Sequence, residues 1–193
     1  MKKIGVYICH CGTNIAATVD CEHLAHFFRT LPGVSVARNY QYLCSDPGQD
    51  LIKRDIREQG IDRVVVAACS PRMHETTFRN VLIQEGINAY FLNIANIREQ
   101  CSWVHKERER ATEKARHVIA AAVARVWRQE ALRPRKVEIK PSVLIVGAGI
   151  AGIQAALTTA NGGMKVVLVE RAPHIGGHMA QLDKTFPTND CSM

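Results

Sequence analysis

The sequence predicts an α/β protein in two parts: a small N-terminal domain with a mostly parallel sheet, and the first βαβ unit of a second domain. Strand-like and helix-like segments alternate over residues 1–132, which is the order that builds a parallel sheet covered by helices. A basic stretch with Pro134, residues 133–140, is expected to be a linker. The second domain is expected over residues 141–193, where a glycine-rich turn separates two apolar runs.

Each element of the first part has a local reason. Apolar, β-branched or extended runs predict four strands, at residues 3–9, 34–42, 63–68 and 88–94. Amphipathic spacing predicts helices at residues 20–31, 46–59 and 71–85. Ser45 and Ser70 are expected N-caps that precede prolines, while Gly60 and Gly86 end two of these helices. A longer helical region is expected at residues 96–132.

The second part contains the motif Gly147-Ala148-Gly149-Ile150-Ala151-Gly152. The apolar run 142–146 precedes it, and a second run, 166–169, ends at Glu170. A strand, a glycine triplet, a helix, a second strand and a terminal acid together form the Rossmann-type unit that binds a dinucleotide. A structural turn in another kind of α/β protein is the alternative.

The residues of this unit have distinct expected roles. Gly147 permits the tight turn, Gly149 lets the backbone approach a pyrophosphate, and Gly152 allows close packing of the helix. Glu170 would accept hydrogen bonds from the ribose of an adenosine. A further glycine turn, Gly176 and Gly177, favours FAD over NAD. Because such a domain usually needs about 100–200 residues, residues 141–193 are expected to be an incomplete FAD domain with poor flavin affinity of its own.

Composition excludes several classes of protein. No run approaches about 20 apolar residues, so no transmembrane helix is expected. The N-terminus lacks the pattern of a secretory leader, and a cytoplasmic location is expected. The net charge is +7, but the basic residues between positions 106 and 140 alternate with acids, which indicates a solvated helix rather than a nucleic-acid surface.

Seven cysteines in such a chain indicate metal ligands or redox thiols rather than disulfides. The cysteines that follow the first three predicted strands are Cys9, Cys11, Cys44 and Cys69. Because the carboxyl ends of parallel strands share one sheet edge, these thiols are expected to converge there and to hold an iron–sulfur cluster. Zinc, or thiols without a metal, are the alternatives. Cys101 is an expected additional ligand, whereas Cys21 is expected to pack in the core.

Four segments resemble the N-terminal region of the A-type flavin subunit of heterodisulfide reductase, namely residues 9–15, 44–48, 68–75 and 96–105. The resemblance extends over the whole chain. It implies an oxidoreductase component with FAD and a [4Fe-4S] cluster in an anaerobic hetero-oligomer. Such a component would relay or bifurcate electrons between ferredoxin, a disulfide-type acceptor and a hydrogenase or formate dehydrogenase partner.

This chain departs from that family in lacking the Cys-x2-Cys-x2-Cys runs of ferredoxin modules, so the isolated stretch is expected to be inactive. No catalytic residue is assigned. A non-catalytic docking module of an electron-transfer complex is the alternative function. A docking module has no need of cysteines at strand ends, which is the feature that separates the two hypotheses.

The C-terminal segment ending at Cys191 resembles the part of the family in which a second cysteine or a selenocysteine follows two residues later. Cys191 is therefore an expected further cluster ligand or selenol partner. We expect the reading frame to continue past Met193 through an in-frame UGA codon, with an arbitrary end of the sequence as the alternative. Nucleotide sequencing downstream tests this, and a UAA or UAG codon at that position contradicts it.

Overall fold

The computed structural model describes residues 2–191, which divide into two compact units with the boundary between Pro134 and Arg135. The continuation expected after Met193 therefore concerns a position outside the described residues. The strands of the first unit are β1 (Ile4–Cys9), β2 (Val34–Tyr40), β3 (Arg63–Ala68) and β4 (Leu92–Asn96). Its helices are α1 (Cys21–Arg29), α2 (Asp46–Gln59), α3 (Pro71–Gln84) and α4 (Arg108–Arg128). The predicted α/β class is confirmed.

The four strands form one parallel sheet in the order β2-β1-β3-β4. On one face, side chains of β1 such as Ile4 and Ile8 pack against α1 and α4. On the other face, Tyr7 and Cys9 pack against residues of α2 and α3. Because β1 connects outward to β2 and the chain then returns to β3, the strand order reverses between β1 and β3, where ligands of doubly wound sheets bind.

Two sequence predictions are corrected in this unit. The fourth strand begins at Leu92 rather than at residue 88, because Asn88 accepts a hydrogen bond from Tyr90 N and starts a 3-10 turn, Ala89–Phe91. The predicted helical region 96–132 consists of a π-helical turn, Arg98–Ser102, and the separate helix α4. The break follows Ser102, whose hydroxyl donates to Asn14 O and accepts a hydrogen bond from Thr18, so this turn is held by the loop after β1.

Asp20 gives a testable contribution to stability, because its carboxylate caps α1 by accepting a hydrogen bond of 3.0 Å from His23 N. That hydrogen bond is the main cause that lowers the pKa of Asp20, and the Arg108 guanidinium lowers it further. We expect Asp20→Ala to lower the free energy of unfolding by about 1 kcal/mol. Because folding lowers the pKa of Asp20, this stabilisation is present above the pKa of the unfolded chain and is lost as the pH falls through the folded-state pKa.

Fluorescence of Trp103 and Trp127, the two tryptophans of the chain, reports denaturation of this unit. Asp20→Asn is the control, because the amide oxygen can still accept the cap hydrogen bond but no longer titrates. We expect Asp20→Asn to retain most of the stability at neutral pH and to lose this part of the pH dependence. Equal stability of Asp20→Ala and the wild type at pH 7 would contradict the capping role.

The second unit consists of a βαβ unit and a short C-terminal ribbon. Its elements are β5 (Ser142–Val146), α5 (Ile150–Asn161), β6 (Lys165–Val169), β7 (Lys184–Thr185) and β8 (Asp190–Cys191). β5 and β6 pair in parallel, as the motif predicts, while β7 and β8 are antiparallel. Within residues 2–191, none of the helices has the length and apolar character that crossing a membrane requires.

Candidate functional site

The structure brings four cysteines to the carboxyl edge of the first sheet. Cys9 is the last residue of β1, and Cys69 directly follows β3, so the two flank the point where the strand order reverses. Cys11 lies in the loop after β1, and Cys44 lies between β2 and the N-cap of α2. These are the cysteines that the sequence predicts to converge.

The Cys9 sulfur joins two of the loops. It accepts hydrogen bonds from Cys11 N at 3.3 Å and from Leu43 N at 3.5 Å. The backbone of Cys11 is left-handed, with a φ of 51°, and Gly12 follows with a φ of 61°. This φ favours glycine, and a Cβ at Gly12 would lie 2.9 Å from the Tyr42 hydroxyl, which would have to move.

Charge interactions also link these thiols. Burial raises the pKa of Cys9 to about 11, the two N–H donors oppose the rise, and Cys11 and Cys44 add to it. Burial likewise raises the pKa of Cys69; Arg98 acts against the rise, while Cys11 and Cys44 contribute to it. Cys11 and Cys44 thus interact electrostatically with both Cys9 and Cys69. Metal binding at these thiols requires their deprotonation.

The site also contains Arg98, which lies in the segment 96–105 but to which the sequence analysis assigns no role. Its Nη1 donates to the Cys11 sulfur at 3.4 Å, and its guanidinium lies 4.7 Å from the centre of the Trp103 ring. Its position in the chain could have indicated this place, since Arg98 follows the carboxyl end of β4 by two residues. A residue at that place is close to the edge where the cysteines lie.

The four thiols are the soft kind of donor that iron–sulfur clusters use. Among residues 2–191, no three His, Cys, Asp or Glu side chains are grouped closely enough to hold one metal ion. A tetrahedral zinc site needs four ligands within about 2.3 Å of one atom, whereas a cluster places several irons and sulfides between its cysteines. Four soft thiols, two N–H donors to Cys9 and a guanidinium at Cys11 suit the larger, anionic group.

The other three cysteines lie elsewhere. Cys101 is completely buried in the core on the α1 and α4 face of the sheet, whereas Cys9 belongs to the core on the opposite face. Burial raises the pKa of Cys101, and Lys114 acts against that rise. Cys21 is buried at the start of α1, and its thiol donates a hydrogen bond of 3.9 Å to Cys9 O. Burial raises the pKa of Cys21, and Cys9 adds to that rise. Cys191 is exposed on β8 of the second unit. The expected ligand roles of Cys101 and Cys191 stay predictions.

The glycines of the second unit converge on a second candidate site. Gly147 has a φ of 101°, which favours glycine, and a Cβ at Gly152 would lie 1.9 Å from Gly147 O. A Cβ at Gly149, by contrast, would have no atom of the described chain within 4 Å. As the motif predicts, Gly152 is where α5 packs closely against the glycine loop, and Gly149 is where the backbone is open to a ligand.

The downstream glycine turn lies beside this loop. Gly176 N donates to Ala148 O at 2.7 Å, and Gly176 pairs with Gly149 in a parallel bridge. A Cβ at Gly177 would lie 3.0 Å from Gly149 Cα, and the φ of Gly177 is 57°. The two glycine turns thus form one surface of bare backbone next to the N-terminus of α5.

Glu170 is hydrogen-bonded to the glycine loop. Its carboxylate accepts hydrogen bonds from Ala172 N at 2.8 Å and from Ala148 N at 2.7 Å. These two bonds lower the pKa of Glu170, so the side chain is ionised at neutral pH. A carboxylate oxygen has more than one lone pair, so these bonds leave acceptor capacity for ribose hydroxyls.

This second site fits the pyrophosphate of a dinucleotide. Gly149 is the N-cap of α5 and leaves the space in front of it open. Backbone N–H groups at a helix N-terminus, together with the helix dipole, stabilise phosphate charge. The residues that could hold the group are therefore Gly147, Gly149, Gly176, Gly177 and the ionised Glu170.

Comparison with known proteins identifies relatives of both units. Residues 142–189 match the family described as FAD dependent oxidoreductase. The chain is 60% identical to a protein of Archaeoglobus profundus that is described as like the A-type subunit of heterodisulfide reductase, over 98% of this chain and 27% of the relative. It is 56% identical to the second A-type iron-sulfur subunit of the CoB--CoM heterodisulfide reductase of Methanopyrus kandleri, over 99% of this chain and 29% of the relative.

The name of a third relative includes further reactants. This relative is the A-type subunit of the H(2)/formate:CoB-CoM heterodisulfide,ferredoxin reductase of Methanococcus maripaludis, which is 50% identical over 99% of this chain and 29% of the relative. The chain thus spans less than a third of the length of the curated relatives that it matches. The similarity itself extends through both units and covers the segments that contain the four converging cysteines and the glycine turns.

Proposed function

Because the chain belongs to the family of A-type subunits of heterodisulfide reductase, we propose that it forms part of a protein that uses FAD and an iron–sulfur cluster to relay or bifurcate electrons. The observation that carries this proposal is the presence of two separate cofactor-type sites on one chain. One is a group of four thiols at the switch point of a parallel sheet. The other is formed by the two glycine turns, whose backbone is not covered by side chains, at the N-terminus of α5.

The residues would act as follows. Cys9, Cys11, Cys44 and Cys69 would hold a [4Fe-4S] cluster as thiolates, and Leu43 N would stabilise the negative charge on Cys9. FAD and a cluster together supply two-electron and one-electron chemistry, respectively. The protein groups would bind and orient them, and the burial of Cys9, which is 4% exposed, would keep water away from that ligand.

In the FAD site, the amides at the start of α5 would bind the pyrophosphate in front of Gly149. Glu170 would hold the glycine loop in its binding shape through Ala148 and would accept hydrogen bonds from the ribose. Gly176 and Gly177 would let the second turn approach the cofactor without a side chain in between.

The names of the relatives support a choice of partners. They include H(2), formate, ferredoxin and the CoB-CoM heterodisulfide. We therefore propose that electrons pass between ferredoxin, a disulfide-type acceptor and a hydrogenase or formate dehydrogenase, in a hetero-oligomer with other components of the heterodisulfide reductase type. We also propose a cytoplasmic location, because seven cysteines in one chain are better explained as metal ligands or redox thiols than as disulfides.

Absorption spectroscopy of the full-length gene product, purified without oxygen, tests this function. We expect a yellow flavin spectrum together with the broad brown absorption of an iron–sulfur cluster. Chemical analysis of FAD, iron and sulfide per chain quantifies both groups. A colourless protein that still assembles with its partners would contradict the proposal and would support a docking module.

A further inference from the structure

Arg98 connects the cysteine group to the turn that follows β4. It is the first residue of the turn Arg98–Ser102, and Asn96 at the end of β4 fixes that turn by accepting a hydrogen bond from Glu99 N at 3.1 Å. The Arg98 side chain is 16% exposed, which is unusually buried for an arginine. Protein contacts therefore fix the position of the Arg98 side chain, which has little freedom to move into solvent.

Three contacts hold the guanidinium in place. Nη2 donates to Glu99 Oε1 at 2.9 Å, and the guanidinium lies 4.7 Å from the centre of the Trp103 ring. The third contact is the hydrogen bond from Nη1 to the Cys11 sulfur, at 3.4 Å. The carboxylate and the ring orient the planar group, so that one of its donors remains directed at sulfur.

The charge of Arg98 also acts beyond Cys11, because Arg98 opposes the rise in the pKa of Cys69 and Glu99 adds to that rise. The Arg98–Glu99 pair thus places one positive and one negative group beside two of the four proposed cluster ligands. The cation is the nearer partner of a sulfur, since it makes a direct hydrogen bond. Hydrogen bonds from charged donors are stronger than those from neutral donors.

We propose that Arg98 is a positioning residue that sets the reduction potential of the cluster held by Cys11 and Cys69. This inference rests on the proposed function, because it requires the cluster. Reduction adds one electron to a group that is already anionic. A cation that donates a hydrogen bond to a ligand sulfur stabilises the reduced state more than the oxidised state, and so raises the potential. Glu99, whose charge acts on Cys69, has the opposite effect there.

A redox titration of the 193-residue chain, prepared without oxygen and followed by electron paramagnetic resonance, tests this role. Dithionite supplies the electron. We expect Arg98→Gln to weaken reduction by about tenfold in the equilibrium constant, which is a shift of about 59 mV to lower potential for one electron. Glu99→Gln is expected to shift the potential upward. Arg98→Lys, which keeps the charge without the fork, is expected to lie between Arg98→Gln and the wild type.

Arg79→Gln is the matched control. Arg79 also pairs with a carboxylate, Glu75, and stacks on an aromatic ring, Tyr90, at 4.6 Å, but it has no sulfur partner among the described residues. We expect this variant to keep the wild-type potential. A shift as large as that of Arg98→Gln would overturn the inference, because the effect would then not depend on contact with Cys11.

Iron content separates this inference from the proposed function. Wild-type protein without iron overturns both. Normal iron in all variants with unchanged potentials overturns the role of Arg98 alone. If Arg98→Gln loses its cluster, Arg98→Lys and Glu99→Gln decide the question: potentials on opposite sides of the wild-type value support the proposal, and potentials equal to it overturn the proposal.

Discussion

Valine at position 149 is expected to abolish FAD binding by the full-length gene product while leaving the βαβ unit folded. The φ of Gly149 is −72°, which other residues adopt readily, and a Cβ there meets no atom of the described chain within 4 Å. The larger side chain would instead occupy the open space in front of the helix N-terminus. Because the pyrophosphate must approach the backbone there, we expect the FAD content per chain to fall to background.

Alanine at position 152 is expected to act by a different route. Its Cβ would lie 1.9 Å from Gly147 O, so the loop and α5 would have to separate and the unit itself would lose stability. Gly162→Ala, at the other end of α5, is the control, because the φ there is −76° and the nearest atom to a Cβ is 3.3 Å away. Thermal unfolding and FAD content together separate the two routes. Retention of FAD by Gly149→Val would contradict the site.

Local sequence signals predicted the elements whose boundaries depend on neighbouring residues in the chain. α2 runs from Asp46 to Gln59 as predicted, because the cap Ser45 and the left-handed Gly60 define its two ends. The third strand, β3, also matches, since six consecutive residues are buried on both faces of the sheet. In these cases, a helix cap or a continuous apolar run is enough to define where the element begins and ends.

Contacts between distant segments explain what sequence reasoning did not reach. The break before α4 depends on Ser102, whose hydrogen-bond partners lie 88 and 84 positions earlier in the chain. Arg98 belongs to the site through Cys11, from which it is separated by 87 positions. The motif predicts that Glu170 binds a ribose, and this stays a prediction; its hydrogen bond from Ala148 N depends on the approach of β6 to the glycine loop. Periodicity does not encode such contacts.

The convergence of the cysteines was predictable because it depends on topology alone. In a parallel sheet, every loop after a strand opens at the same edge, so Cys9, Cys44 and Cys69 share that edge. The position of Cys101 was harder to predict, since it lies within the π-helical turn rather than at the end of the strand itself. This turn directs it into the core beneath α4, together with Ala111 and Ala115.

Serine at Cys44 or Cys69 is expected to remove most of the iron from the 193-residue chain. Both thiols interact electrostatically with the other sulfurs at the sheet edge, and a serine hydroxyl is a poor substitute for a soft thiolate ligand. Iron and sulfide per chain, measured after anaerobic reconstitution, are expected to fall several-fold. Both residues are at loop positions after strands, so the fold is expected to persist, as circular dichroism can verify.

Cys21→Ala is the control, because its thiol is buried in the core on the α1 and α4 face of the sheet. We expect it to lose some stability, since it removes buried sulfur, but to keep its iron. Cys101→Ala, in the same core, tests whether Cys101 is a further ligand. Loss of iron from Cys101→Ala would show that Cys101 reaches the cluster when iron binds, and that the four-cysteine set is incomplete. Equal iron in all four variants would contradict a cluster at this edge, because loss of a thiol at the carboxyl ends of the strands would then have no more effect than loss of a thiol in the core.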